Sequence, residues 1–353
     1  MNKKELGWNE AFEESYREYQ ESGLTVGRVI LEYKRMYRII TEAGECLGEV
    51  SGKFRFSSTE RQDYPAVGDW VVISTRMEEG KATIHQLLPR FSKFSRKAAG
   101  LTTEEQIVAT NINTVFLVNA LNNDFNLRRI ERYLLLTWES GANPVIVLTK
   151  SDLCDHIDER IAEVEAIAYG VPIHVVSVKE NSGIESLMSY FEAGKTVALL
   201  GSSGAGKSTL TNRLVGEQKQ QVEEIREGDD RGRHTTTHRE LIMLPSGGMI
   251  IDTPGMRELQ LWDADDSIGV SFQDIEALAE VCRFRDCHHG NEPGCAVRSA
   301  IEDGSLQKAR YNNYLKLQRE LAYLDRKSDK RAQQQEKEKW KKITIHSKQK
   351  KKF

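Results

Sequence analysis

Gly201-Ser202-Ser203-Gly204-Ala205-Gly206-Lys207-Ser208 is the stretch that decides the fold, because an apolar run, Thr196 to Leu200, leads into it and a helix-compatible run, Thr209 to Val215, leaves it. The pattern is G-x-x-x-x-G-K-[ST] in its required strand–loop–helix setting. Its glycines let successive backbone N–H groups wrap phosphates at a helix N-terminus, Lys207 reaches the β- and γ-phosphates, Ser208 supplies a hydroxyl to Mg²⁺, and Thr209 completes the cradle. Working outward, apolar runs alternate with amphipathic ones. Strands are expected at Thr114 to Ala120, Pro144 to Leu148, Ile173 to Val178, Glu240 to Leu244 and Met249 to Ile251. Helices are expected near Leu127 to Ser140, Ile157 to Tyr169 and Gly183 to Phe191. That rhythm predicts a parallel sheet with helices on both faces.

A phosphate loop does not tell ATP from GTP; the stretch about fifty residues upstream does. Thr149-Lys150-Ser151-Asp152 closes the Pro144 strand and resembles the guanine-specificity motif [NT]-K-x-D of GTPases. A carboxylate at Asp152 accepts from the paired N1 and N2 hydrogens of guanine, whereas adenine offers no such pair and would leave it unpaired. Ser177-Val178-Lys179, one strand later, resembles the next guanine-contacting loop, with Ser177 as its base-side residue.

Downstream, Asp252-Thr253-Pro254-Gly255 resembles the D-x-x-G element that senses a γ-phosphate, with Asp252 holding Mg²⁺ through water and the Gly255 N–H meeting the phosphate. Between loop and sensor lies Gly228 to Thr237, GDDRGRHTTT, polar as a switch segment should be. One of Thr235, Thr236 and Thr237 is the expected magnesium ligand, with Thr236 taken as the candidate. Met256 stands where many GTPases place the glutamine that orients water, a task a thioether cannot perform. His234 is the nearest replacement in sequence, as a catalytic group or as a structural part of the switch.

The 353 residues suit two or three domains, and 39% hydrophobic with 29% charged residues is the composition of a globular protein. No apolar run approaches membrane-spanning length, and the start of the chain lacks the apolar core of a secretory signal, which points to the cytoplasm. Three of the five cysteines crowd one window, Cys282-x₄-Cys287-x-His289-x₅-Cys295, a closed tetrahedral donor set for one structural Zn²⁺. Spacing leaves His288 and His289 both open as the fourth ligand. Cys46 and Cys154 read as ordinary buried thiols.

Residues 1 to 24 read as one helix, 25 to 92 as a small barrel of short strands, and Arg90 to Gln106 as a linker. The barrel interleaves Tyr33, Tyr37, Phe54, Phe56 and Trp70 with Lys53, Arg55, Arg61 and Arg76, as a surface that stacks bases would, with about half of those rings expected in the core and a plain protein-docking barrel as the alternative. Arg90, Lys93, Arg96 and Lys97 extend it as a basic strip. From Arg326 to Phe353 there are twelve Lys or Arg against three Asp or Glu, a basic tail on an otherwise acidic chain.

The order of these motifs, guanine reader, phosphate loop, switch threonines, D-x-x-G, then the Cys/His cluster, resembles the circularly permuted GTPases and, more narrowly, the ribosome small subunit-dependent GTPase family. The resemblance covers roughly Val26 to Asp325. It implies a multidomain α/β protein: an N-terminal OB-fold β-barrel (25–92), a circularly permuted P-loop GTPase domain (93–260) and a C-terminal helical zinc-binding domain (261–325), before the tail (326–353). It further implies GTP/GDP with Mg²⁺ as ligands, His289 as the zinc ligand, and GTP hydrolysis during late maturation of the small (30S) ribosomal subunit. The partners are then the subunit and its rRNA, with no membrane and a monomer as the default. A non-catalytic RNA-binding scaffold with a structural nucleotide site is the alternative, which Lys207, Ser208 and Asp252 disfavour; Asp152 disfavours an ATP-driven enzyme.

Overall fold

A computed structural model describes residues 2–33, 36–97, 105–216, 239–252, 272–284, 286–290 and 292–319. The alternating pattern of the barrel segment yields β1 (Thr25–Glu32), β2 (Tyr37–Thr41), β3 (Gly44–Val50), β4 (Trp70–Arg76) and β5 (Lys81–Leu87). They pair in the order β1, β2, β3, β5, β4, and β4 returns to β1, which closes the barrel. Only β3 and β5 run parallel. Alternate residues point inward, so Val29, Ile39, Val71, Ile73 and Ile84 fill the interior. Helix α1 (Glu10–Gln20) precedes the barrel, and α2 (Gly52–Ser57), capped by Ser51 Oγ on the Phe54 N–H at 3.1 Å, drops Phe54 into the same core.

The segment expected to be a linker is a hairpin instead: β6 (Lys93–Lys97) pairs antiparallel with β7 (Glu105–Thr110). Apolar signal is weak in β6, where only Phe94 is a large apolar residue; its partner strand supplies Ile107, Val108 and Ala109. The expected single N-terminal helix is also broken. A 3-10 turn, Lys3–Leu6, ends at Gly7 with φ 89, a left-handed cap, and α1 restarts after Asn9, whose Oδ1 accepts from the Phe12 N–H.

The nucleotide-binding sheet contains β8 (Thr114–Ala120), β9 (Asn143–Thr149), β10 (Ile173–Val175), β11 (Thr196–Gly201), β12 (Glu240–Met243) and β13 (Met249–Asp252). Their order is β10-β9-β8-β11-β13-β12, parallel except for β12, which runs antiparallel to β13. Both faces are covered, which is why the strands read as nearly unbroken apolar runs. Helices α3 (Leu127–Ser140), α4 (Ile157–Glu165) and α5 (Lys207–Val215) connect them; the stretch expected as a helix near Gly183 is a 3-10 helix, Ile184–Phe191.

The barrel and this sheet are continuous. Strand β1 pairs antiparallel with β12 through Leu31 and Glu240, making one eleven-stranded sheet. Behind the joint lies Arg28, 1% exposed, with Nη1 donating to Leu6 O at 2.7 Å, Nη2 to Asn111 O at 3.0 Å and Nε to Gly68 O at 3.1 Å. Burial lowers its pKa to about 9, against the opposing pull of Asp69, so the guanidinium stays charged at neutral pH. Asp69, itself fully buried, accepts from Arg90 Nε at 2.8 Å and Nη2 at 2.7 Å. Arg90 is therefore an internal strut and not part of a basic surface strip. As expected for about half of the barrel aromatics, Tyr37, Phe54 and Trp70 are core, while Phe56 is 91% exposed. Cys46 is buried as expected, but Cys154 is partly exposed.

The chain divides into two compact units, residues 1–260 and 261–353. The second contains α6 (Gln273–Glu280), α7 (Ala296–Glu302) and a helix over residues 308–319. Arg310 fastens that last helix to α6 by a two-pronged pair with Asp274 at 2.7 and 2.8 Å. No helix among the described residues is long and apolar enough to cross a membrane. Replacing Arg28 with Met takes the guanidinium donor from Leu6 O and Asn111 O, while Gly68 O keeps the Asn111 Nδ2 at 3.1 Å. The expected cost is about 3 kcal/mol or more in a denaturant titration followed by tryptophan fluorescence, and a loss below about 1 kcal/mol would contradict the clamp.

Candidate nucleotide site and metal centre

Sheet order brings the separated motifs together. Strands β8, β9, β10 and β11 all end on one edge of the sheet, and ligands in open parallel sheets bind outside such carboxyl ends. Gly201 lies at the end of β11, where an added Cβ would fall 2.3 Å from Val118 O, and Gly206 turns the chain into α5 at φ 89. These two positions need glycine for different reasons, close strand approach and a left-handed backbone. Lys207 opens α5 and its Nζ lies over the loop, donating to Gly201 O at 2.8 Å and Ser202 O at 2.6 Å. Ser208 and Thr209 follow in the first turn of the same helix, and Ala205 is buried beneath the loop. Ser203 and Gly204 form the turn between them, with Gly204 at φ 74.

Thr149, at the end of β9, donates from Oγ1 to Ala205 O at 2.6 Å, so the guanine motif is bonded to the phosphate loop directly. Lys150 adopts φ 59, a strained conformation for a residue with a side chain, and starts the 3-10 turn Ser151–Leu153. The turn is pinned to the neighbouring strand by the Ser151 N–H on Val176 O. It leaves the Asp152 side chain only 8% exposed, where Ser177 Oγ donates to its Oδ1 at 2.6 Å. Ser177 is held in turn, accepting from the Glu180 N–H, and Lys179 Nζ is 3.9 Å from Asp152 Oδ2. A buried, oriented carboxylate with one cation beside it fits two N–H donors of a flat base.

One contact has no counterpart in the motif reading. Asp124, in the loop after β8, accepts from Ser202 Oγ at 2.5 Å and from Arg129 Nη1 and Nη2 at 2.7 and 3.0 Å. Burial alone would raise the Asp124 carboxyl; Arg129 and Ser202 outweigh it and hold the group below the usual carboxylate range. Arg129 is placed by the cap of α3, where Asn126 Oδ1 accepts from the Arg129 N–H. The pairing follows from β8 lying beside β11 and leaves no trace in local spacing, since 78 residues separate Asp124 from Ser202.

The D-x-x-G element begins where expected, with Asp252 closing β13 beside β11. Its Gly255, and His234, Thr236 and Met256, lie outside the described residues, as do the other switch threonines and the basic tail.

In the second unit Cys282, Cys287, His289 and Cys295 converge, their ligand atoms all within 4.8 Å of one another. His289 Nδ1 is 3.5 Å from the sulfurs of both Cys282 and Cys295. Zinc–sulfur and zinc–nitrogen bonds of ordinary length at a tetrahedral angle separate S and N by about 3.6 Å, so the cluster has the dimensions of a zinc site. His289 reaches inward from a left-handed backbone at φ 57. His288 is not part of the cluster. The Cys295 sulfur also caps α7 through the Arg298 N–H, coupling the site to a helix.

A family model described as RsgA GTPase matches residues 87–262, and a second, described as 50S ribosome-binding GTPase, matches residues 196–342. A protein of Oceanobacillus iheyensis named small ribosomal subunit biogenesis GTPase RsgA 1 is 48% identical over 92% of this chain and 92% of its own. One of Opitutus terrae, small ribosomal subunit biogenesis GTPase RsgA, is 46% identical over 97% of this chain and 96% of its own. Among solved structures, YjeQ from Thermotoga maritima superposes with a TM-score of 0.62 at 29% identity, covering 85% of this chain and 99% of that one. With a barrel closed on itself, a guanine motif bonded to the phosphate loop that follows it, and near-full-length similarity of this order, the chain belongs to the RsgA family of circularly permuted GTPases.

Proposed function

We propose that this GTPase acts on the small ribosomal subunit late in its assembly, docking in the GTP state and leaving after hydrolysis. One of the two matched family descriptions names the 50S subunit and the other names no subunit. What decides for the small one is the set of relatives that align over nearly the whole chain, barrel and Cys/His cluster included, and carry the small subunit in their names.

Within the site, Asp152 reads guanine with Thr149, Lys150, Ser151 and Ser177 shaping its pocket. The backbone from Gly201 to Thr209 and the Lys207 ammonium hold the phosphates; the lysine exchanges the carbonyls it now touches for phosphate oxygens. Ser208 and Thr236 hold Mg²⁺, Asp252 does so through water, and Gly255 senses the γ-phosphate. When bound, Mg²⁺ would supply charge neutralisation for the transferred phosphoryl group. With Met256 in place of a water-orienting glutamine, His234 takes that position, and intrinsic turnover is slow until the ribosomal partner orders the switch. Asp252 to Gly255 leads in sequence into the zinc-held unit, which gives nucleotide state an output. Zinc bound by Cys282, Cys287, His289 and Cys295 has no open position and is structural.

The barrel and the tail carry the rRNA contacts, through exposed groups such as Phe56, Lys53, Arg55 and Arg61 rather than through the buried rings. The protein works as a cytoplasmic monomer.

Three measurements test this. GTP turnover should rise at least tenfold on adding purified small subunits; equal rates with and without them would remove the proposed role. Asp152→Ala deletes two charge-assisted hydrogen bonds, so GTP affinity should fall about a hundredfold while ATP affinity stays where it was. Cys287→Ser should lose the zinc found by elemental analysis of the wild type and lower the unfolding temperature of the C-terminal unit, and a zinc-free wild type would overturn the metal assignment.

A further inference from the structure

A cavity of about 440 Å³ opens where the barrel meets the β6–β7 hairpin, at a distance in sequence from every motif of the nucleotide site. That volume lies within the range of small-ligand sites, roughly 300–1,000 Å³. Its walls include the half-buried phenol rings of Tyr33 and Tyr64, the core residue Tyr37 beneath them, and a carboxylate, Glu32, whose side chain is 32% exposed. Arg55 and Arg61 also line it and reach solvent. No donor lies within hydrogen-bond distance of the Glu32 carboxylate among the described residues; its ion-pair partner, Arg239, stands at 3.9 Å. Burial accordingly pushes the Glu32 carboxyl up, with Arg239 and Arg61 pulling the other way.

We propose that this cavity binds one unstacked RNA nucleotide whose base carries an amino group, and that its occupancy is transmitted to β12 through Glu32 and Arg239. The half-buried rings of Tyr33 and Tyr64 offer stacking faces to a base, and guanidinium groups beside them suit its phosphates. A carboxylate accepts and cannot donate, so it favours the amino groups of adenine, cytosine and guanine over the carbonyl oxygens of uracil. A basic protein side chain would meet Glu32 but would also face Arg55, Arg61 and Arg239, which makes a flat anionic ligand the better match.

The transmission follows from what Arg239 touches. Besides the ion pair with Glu32, its Nη1 donates to Ile107 O at 3.4 Å, and Ile107 belongs to the cavity wall. The next residue, Glu240, is the one that pairs with Leu31 of β1. Glu32 and Ile107, both in the cavity wall, thus hold Arg239, the residue that precedes β12 and follows the switch segment in sequence. An amino group that engages Glu32 competes with Arg239 at that point. The inference rests on the reading of the barrel as an rRNA-facing surface.

The test uses the full chain loaded with GDP and fluorescein-labelled hexanucleotides of A, C and U, read by fluorescence anisotropy. A and C oligomers should bind several-fold more tightly than U. An Arg55→Ala/Arg61→Ala variant should weaken all three and reduce the salt dependence by the equivalent of one to two phosphate contacts, a slope change of about 0.7 each. Glu32→Gln should weaken A and C toward the U value; should that variant not fold, Arg61→Glu tests the same cavity from its mouth. Adding the A oligomer should change single-turnover GTP hydrolysis in the wild type by at least twofold and leave Arg239→Gln unmoved. Wild-type binding of every oligomer by the arginine variants would overturn the proposal and make a protein side chain the occupant. Loss of subunit-stimulated turnover with the base preference intact would count against the assembly role alone.

Discussion

A guanidinium sealed from water is the constraint on which the first unit depends. Arg28 joins, through three carbonyls, the N-terminal turn at Leu6, the barrel at Gly68 and the entry to the nucleotide-binding sheet at Asn111. Its Nη1 also lies 3.3 Å from Met249 Sδ, at the start of β13. A charge so buried is tolerated only if its donors are satisfied. The surrounding backbone is therefore committed to one arrangement: Gly7, Gly68 and Asn111 all take left-handed conformations around it. Asp69 and Arg90 extend the constraint, since Asp69 lowers the cost of the Arg28 charge while its own is matched by Arg90. The N-terminal residues belong to this core. Trp8 packs edge-on against Trp70 at 4.7 Å and stacks on Phe12 at 5.5 Å, so α1 is a wall of the barrel rather than an appendage.

What could be read from sequence divides along physical lines. Elements whose stability comes from a buried face announce themselves: β8 and α3 begin and end where the apolar periodicity places them, because Val115 to Ala120 and the Ile130–Leu134 stripe have no other way to leave water. Gly201–Ser208 and Thr149–Asp152 stand out in the sequence because the chemistry of phosphate and guanine recognition tolerates few residue types at fixed spacing. Contacts made across the fold by ordinary polar residues do not. Asp124 carries no motif, and its bond to Ser202 exists only because β8 and β11 are neighbours. Arg90 looked like a surface cation because nothing in a run of basic residues distinguishes one whose partner, Asp69, is 21 positions away. The hairpin β6–β7 escaped notice for a related reason: Phe94 alone carries the apolar face of its first strand, and the rest of the stabilisation comes from cross-strand pairing.

Permutation changes the mechanics more than the chemistry. The parallel strands occupy the positions that a phosphate loop and a guanine reader require, so the site itself is indifferent to where the chain starts. What differs is which strands lead elsewhere. The 3-10 helix Ile184–Phe191 carries the chain from β10 past β9 and β8 to β11, and its Leu187 and Phe191 are fully buried against that sheet. This crossing is the covalent join that frees both ends of the domain. In sequence, the barrel and hairpin precede β8, and the Cys/His unit follows β13.

Strand β12 sits at the point where these consequences meet. On one side it forms four residue pairs with β13, the strand that ends in Asp252; on the other it shares a single pair, Leu31 with Glu240, with the barrel. A backbone hydrogen bond contributes only about 1 kcal/mol net, so the single pair cannot by itself hold two domains in register. The register must come from side chains flanking the joint: Arg28 behind it, Arg239 with Glu32 and Ile107 at its head. Such a joint fixes orientation while leaving little backbone to break. A displacement of the residues before β12 would then load Arg239 first, and the barrel would register it through Glu32 before any strand pairing is lost.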